Sequence, residues 1–245
     1  MTIKSRVSII DLPPRRYCVF MGLEHLAIIV SSLALLAFIW RRDRIFTSNQ
    51  RAHMFDLCLQ LFDQAKLTQH SHDFPSLTGY YQAAEFALEA FPDTVGYRKI
   101  PSLWLQITLA AALPINGTVD ILARAQNTEF FSPSYDLEFS LPIPAGWPQP
   151  IQFRSNTQNH GLELTQIESA IGHLFADNRI KELLITKRGL RVVYQLAQAE
   201  KSRYLVFRMA EFEEITVNPD FLRPLMQELL TLRDRIQSRT SIIEA

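Results

Sequence analysis

His70-Ser71-His72-Asp73 is the cluster in this chain where metal-capable side chains stand together. Two imidazoles one residue apart, with the Asp73 carboxylate as a third donor, could ligate zinc or copper if the loop folded back on itself. Zinc enzymes use longer, helix-based spacing such as H-E-x-x-H, so a solvated loop is expected here, and His70, His72 and Asp73 are weak metal candidates. A second chemistry is carried by arginines embedded in apolar β segments. Arg191 stands in RVVYQ, and Arg203 and Arg208 flank LVF. Arg191 and Arg208 are candidates for binding an anion, because a guanidinium fork fits phosphate or carboxylate. Asp120, inside TVDILAR, or Glu129 could pair with an arginine across the sheet, an arrangement that is usually structural.

Other catalytic devices are missing from the sequence. It has no G-x-S-x-G, and neither Cys18 nor Cys58 sits beside a histidine. Cys58 falls on an apolar stripe and reads as core. The eight glycines form neither G-x-G-x-x-G nor a P-loop, so nucleotide binding through those devices is not expected, and no cofactor is. His160 and His173 read as structural. Asn116-Gly117-Thr118 matches a glycosylation sequon, but its turn chemistry already accounts for it.

The elements that must position these residues begin with a membrane segment. Leu26 to Trp40 reads LAIIVSSLALLAFIW, and Tyr17 to Trp40 makes a 24-residue stretch interrupted by Glu24 and His25. A bilayer requires about 20 residues. Tyr17 and Trp40 suit the two interfacial aromatic belts, and Arg41, Arg42 and Arg44 close the run as a basic collar. The run ends in Trp-Arg-Arg, a poor cleavage site, so an anchor is expected rather than a removed signal peptide. Lys4, Arg6, Arg15 and Arg16 lie before it; if Met21 rather than Met1 is the start, all flanking positive charge lies after it. Positive-inside then places the following domain in the cytoplasm.

Charge divides along the chain. The 245 residues carry 25 basic and 25 acidic side chains, and 47% are hydrophobic, an ordinary globular composition. Residues 1–44 hold seven basic and three acidic side chains, leaving 18 basic and 22 acidic for the rest. A mildly acidic domain lacks the footprint of a nucleic-acid binder. The collar suits an anionic inner leaflet.

Beyond the collar, Met54, Leu57, Cys58, Leu61, Phe62 and Ala65 recur at helical spacing and predict a helix over Asn49–Leu67. Strands are expected over Leu77–Ala90. Leu103–Leu109 and Val119–Ala123 alternate on either side of Asn116-Gly117 and read as a hairpin. Tyr135–Leu141 reads as another strand. Pro142, Pro144, Pro148 and Pro150 punctuate LPIPAGWPQP, an extended crossover whose Trp147 packs on the core. A helix follows over Leu162–Phe175, then strands Glu182–Thr186, Leu190–Leu196 and Arg203–Met209. Asn218-Pro219-Asp220 starts a terminal helix, with Pro224 awkward inside it. The chain therefore reads as a tail (1–16), a transmembrane anchor with its basic collar (17–44) and a soluble α+β domain (45–245) with the crossover at 142–150. The fold expected is α+β: one N-terminal transmembrane helix, then a largely antiparallel sheet flanked by helices.

The anchor, Gly146-Trp147-Pro148, Lys181–Thr186 (KELLIT) and Arg188–Leu190 (RGL) resemble bacterial inner-membrane proteins in which one N-terminal anchor precedes a cytoplasmic α+β domain. The likeness covers most of the chain and implies a bacterial setting; those proteins have no assigned activity, so it carries over no catalytic residue. With one anchor, a large domain and no recognised active site, the expectation is a membrane-tethered binding or scaffold domain. Its partners would be the lipid bilayer and a protein, not nucleic acid, at the cytoplasmic face of the inner membrane. The alternatives are an enzyme acting on a membrane-associated substrate and a lipid-binding module.

Overall fold

The structure is a computed structural model describing residues 23–70, 73–93, 100–125, 129–201, 204, 212 and 215–238. The chain divides between Arg44 and Ile45 into two units. Helix α1, Leu23–Ala52, opens the described part. A window of 18 residues within this region has a mean hydropathy of 1.5, and it is the one helix among the described residues long and apolar enough to cross a membrane. Between Leu26 and Trp40 its large apolar side chains are all exposed, Leu33, Leu36 and Phe38 each by more than 60%. The Arg44 guanidinium lies 4.0 Å over the Trp40 ring, a cation–π contact one helical turn apart.

The second unit is α+β, built on one nine-stranded sheet. Its strands are β1 (Asp63–Thr68), β2 (Ser76–Tyr81), β3 (Ala84–Asp93), β4 (Ser102–Ala110), β5 (Val119–Ala123), β6 (Phe139–Ser140), β7 (Ile151–Ser155), β8 (Ile180–Thr186) and β9 (Gly189–Gln198). They lie in the order β1-β2-β3-β4-β9-β8-β5-β7-β6, and every described pairing is antiparallel. Helices α2 (Leu164–Ala176) and α3 (Pro219–Gln237) complete the unit with a 3-10 segment, Asp56–Leu61.

Alternation sends one set of strand side chains into a common apolar core. Leu105, Ile107, Val192, Leu183, Ile121 and Phe153 from five strands share this core with Ile171, Phe175, Leu222, Met226 and Leu229 from α2 and α3. Phe221 of α3 stacks on Tyr194 of β9, ring centroids 5.0 Å apart. Asn218 caps α3 by accepting from the Asp220 amide at 2.8 Å. The helix starts at Pro219, as expected, and continues through Pro224. Pro224 lies close enough to the N-terminus that its missing N–H forfeits a single early hydrogen bond.

Four local expectations are revised. The helix expected over Asn49–Leu67 is instead the end of α1, the 3-10 segment and β1. Met54, Cys58 and Phe62 of its stripe are buried, but Leu57 is 58% exposed. The chain turns at His53, and the Cys58 thiol reaches the Val217 carbonyl. β4 and β5 do not form a hairpin: β9 and β8 lie between them. The β4–β5 connection spans that gap and hydrogen-bonds to the β8–β9 turn, Ala111 N to Arg188 O at 2.9 Å and Leu113 N to Lys187 O at 3.1 Å. Gly189 sits in that turn at φ +145, where a Cβ would collide with the Leu109 carbonyl oxygen. Over Tyr135–Leu141 only Phe139 and Ser140 pair as strand, and Ser134–Asp136 form a 3-10 turn. Trp147 is buried as expected, 5.4 Å from the Phe153 ring, but the Pro-rich segment 142–150 is a hairpin loop rather than a crossover, because the strands it joins, β6 and β7, pair directly. The strand expected over Arg203–Met209 falls, Tyr204 apart, outside the described residues.

Candidate functional site

The face of the sheet turned away from α2 and α3 places its side chains in rows. Pairing runs Ala87, Thr108, Arg191, Leu184, Asp120 and Arg154 across six strands in one row. The next row is Glu89, Gln106, Val193, Glu182, Leu122 and Gln152. Asp120 and Glu182, on adjacent strands two residues out of register, are therefore diagonal neighbours on the same face. Both are wholly inaccessible to solvent.

A strap, Glu129–Leu137, covers them. It is tied to four successive strands, each time through a charged side chain of the sheet. Glu129 pairs with Lys181 of β8 at 2.9 Å. Arg191 Nη2 of β9 donates to the Phe131 carbonyl at 2.9 Å. The Ser132 hydroxyl donates to Asp120 Oδ2 of β5 at 3.0 Å. Arg154 Nη1 of β7 donates to the Ser134 carbonyl at 2.8 Å. Phe131 also lies 5.6 Å from Trp104 and 5.7 Å from Phe91, so the strap adds an apolar seal over β3 and β4.

Within the centre, Arg191 Nη2 bridges to Glu182 Oε2 at 2.9 Å. Two carboxyls share one close guanidinium, and the second oxygen of each, Asp120 Oδ1 and Glu182 Oε1, is buried without a hydrogen-bond partner among the described residues. Burial dominates their titration. It pushes Glu182 up to about 8, the Asp120 charge adding to the rise and Arg191 opposing it. It pushes Asp120 up to about 6, held back by Ser132, Ser134 and Glu182 beside it and by Arg191. Two carboxyls so close together cannot both ionise cheaply.

The sequence candidates are distributed as follows. Arg191 is at this centre, donating to Glu182 and to the Phe131 carbonyl of the strap. Arg208 lies outside the described residues. Asp120 and Glu129 are both here, but Asp120 is bonded to Ser132 and Glu129 pairs with a lysine, not an arginine. His70 and Asp73 border a turn, the Asp73 amide donating to the His70 carbonyl at 3.1 Å. His72 lies outside the described residues, and among those described no three His, Cys, Asp or Glu side chains are placed to hold a metal. Glu182, Lys181, Ser132 and Ser134 were not singled out as a site. One signal was available: a Lys-Glu pair opening the apolar strand KELLIT puts Glu182 on the same face as Leu184, opposite the core set Leu183 and Ile185.

Elsewhere, Asn116, Gly117, Thr118, Asn156, Thr186, Lys187 and Arg188 line an open groove of about 380 Å³ at one end of β5, β7 and β8. The Asn156 side chain accepts from the Thr118 amide at 2.8 Å and fixes its floor. No family model, curated protein or solved structure matches this chain.

Proposed function

We propose that this protein is a single-pass membrane-tethered binding domain, holding a protein partner at the cytoplasmic face of a bacterial inner membrane. The observation that carries the reading is α1, whose large apolar side chains from Leu26 to Trp40 are all exposed among the described residues. Thirteen apolar residues exposed to water would cost far more than any one surface patch a soluble protein tolerates. Hydrocarbon removes that cost, and the Trp40–Arg44 stack then marks the polar boundary. The arginines after Trp40 favour the cytoplasmic side for the domain. Tethering raises a partner's effective concentration without any new contact.

Binding is favoured over catalysis because Asp120 and Glu182, the carboxyls best poised for acid–base work, are sealed under the strap with no solvent access. An enzyme acting on a membrane-associated substrate is the second reading; it gains from those two groups titrating near neutrality and requires the strap to open. A lipid-binding module is disfavoured, since Leu222, Met226 and Leu229 of α3 and the facing strand residues fill the space between helix and sheet.

The test is fractionation of the full-length chain. It is expected to sediment with membranes, to resist alkaline extraction and to require detergent for release. A reporter fused after Ala245 is expected to be active only in its cytoplasmic form. Full-length chain in the high-speed supernatant without detergent would overturn the tether, and periplasmic reporter activity would overturn the sidedness.

A further inference from the structure

We infer that the Asp120–Glu182 pair is a proton-binding site that latches the strap: with one proton held between the carboxyls the centre is balanced by Arg191, and losing that proton releases the strap. The argument starts from geometry. Both carboxyls are inaccessible, and the counter-charge that acts on both of them among the described residues is Arg191, which also holds the strap through the Phe131 carbonyl. The strap's own hydroxyl, Ser132, bonds to Asp120. The proton site and the latch are thus made of the same side chains.

The charged groups around the pair are placed as follows among the described residues. From β9 comes Arg191. From β7 comes Arg154, opposite Asp120 and committed to the Ser134 carbonyl. From β8 comes Lys181, paired with Glu129 of the strap. β4 contributes uncharged Thr108 and Gln106 to the two rows, and Glu89 of β3 beyond them is exposed. Asp136 and Glu138 at the end of the strap are exposed as well. Among the described residues Arg191 is the cation whose charge bears on both carboxyls, and one arginine cannot balance two ionised carboxylates. An unpaired buried charge is costly, and the cheapest relief is to let water in. The cover that can yield is the strap, a segment with no strand pairing of its own between Glu129 and Leu137, whereas β5 and β8 are each paired on both edges. The titration positions of Glu182 and Asp120 put this change within the cytoplasmic range. Lifting the strap would also uncover the Trp104 and Phe91 rings.

The experiment is hydrogen exchange with mass spectrometry on the full-length chain in detergent micelles, at pH 6 and pH 8.5. Rates are corrected for the intrinsic pH dependence of exchange. Peptides covering Glu129–Leu137 should exchange at least tenfold faster at the higher pH, while peptides from α3 stay unchanged. Glu182→Gln, which keeps that side chain neutral, should abolish the difference; if it fails to fold, Asp120→Asn is read in the same way. Equal corrected rates at the two pH values in the wild type would overturn the proposal. So would a Glu182→Gln or Asp120→Asn protein that keeps the wild-type response, or a wild-type change shared equally by α3, which would report global loosening instead.

Discussion

Along β3 alternate residues reach toward water, whereas along β5 none does. Both strands belong to one sheet and turn the same kind of apolar face toward α2 and α3. They differ on the other side: β3 leaves Glu85 and Glu89 in solvent, while the strap closes over β5, β8 and β9. The contrast shows what covering a second face demands. A sheet covered on both sides normally carries continuous apolar runs. Here the second face still carries Asp120, Glu182 and Arg191, so their charges must be settled among themselves and with the strap. The open half depends on packing alone, while the closed half depends on packing and on protons.

Arg191→Ala is the hardest blow to that closed half. It removes the counter-charge of two buried carboxyls and the donor to Phe131 together. Breaking a buried pair costs about 3–5 kcal/mol, because the surviving charge is stranded. The loss of unfolding free energy should be largest near pH 8.5 and clearly smaller near pH 5, where the carboxyls hold protons. Denaturant titration of the full chain at both pH values measures it; an equal loss at both would mean the arginine serves packing only.

The wild-type stability curve comes next. Unfolded, both carboxyls titrate near pH 4. Folded, they titrate at about 6 and about 8. Between those limits the folded chain holds protons the unfolded chain has released. The contribution is therefore fully present below about pH 4 and is lost as pH rises through 6 and then 8. One retained proton tilts stability by at most about 1.4 kcal/mol per pH unit. The melting temperature should fall from pH 5 to pH 8.5, and Glu182→Gln should flatten most of that slope. A melting temperature that rises over this range would contradict the assignment.

How far these features can be read from residues alone depends on whether the information is local. α1 and its arginine collar, the N-cap at Asn218 and the strands around Ile107 and Leu183 are written in runs and alternations a few residues long. The β4–β5 connection is not. Asn116-Gly117 is chemically fit for a hairpin, yet β9 and β8, arriving some 70 residues later, take the place beside β4. The 3-10 segment is a similar case: Met54, Cys58 and Phe62 keep helical spacing, but β1 claims the residues from Asp63 onward by pairing with β2. Arg191 and Asp120 stand out as charges in apolar strands, so half the centre was visible. Glu182 hid beside Lys181 as an ordinary charged strand end. Ser132 and Ser134 acquire meaning only once the strap lies across β5.

Ser132→Ala is a smaller cut at the same place. The hydroxyl donates to Asp120 and accepts from the Ser134 amide at 3.2 Å. A net loss of about 1 kcal/mol is expected at low pH, growing once Asp120 ionises, because hydrogen bonds to charged groups are worth more. The effect should be local: strap exchange faster at every pH, with its pH midpoint moved downward because one restraint on opening is gone. Unchanged strap exchange would show that Phe131 and Glu129 hold the segment without Ser132.

The smallest effect is expected from Glu89→Gln, and it isolates the variable. Glu89 and Glu182 occupy the same row, separated by Gln106 and Val193. The chemical change is identical to Glu182→Gln; only the cover differs, since Glu89 is exposed. Water already solvates its charge, so neutralising it should alter stability by less than about 0.5 kcal/mol and leave the pH slope intact. If Glu89→Gln flattened the slope as Glu182→Gln should, the proton dependence would come from the charge of the face as a whole, and burial beneath the strap would not be its cause.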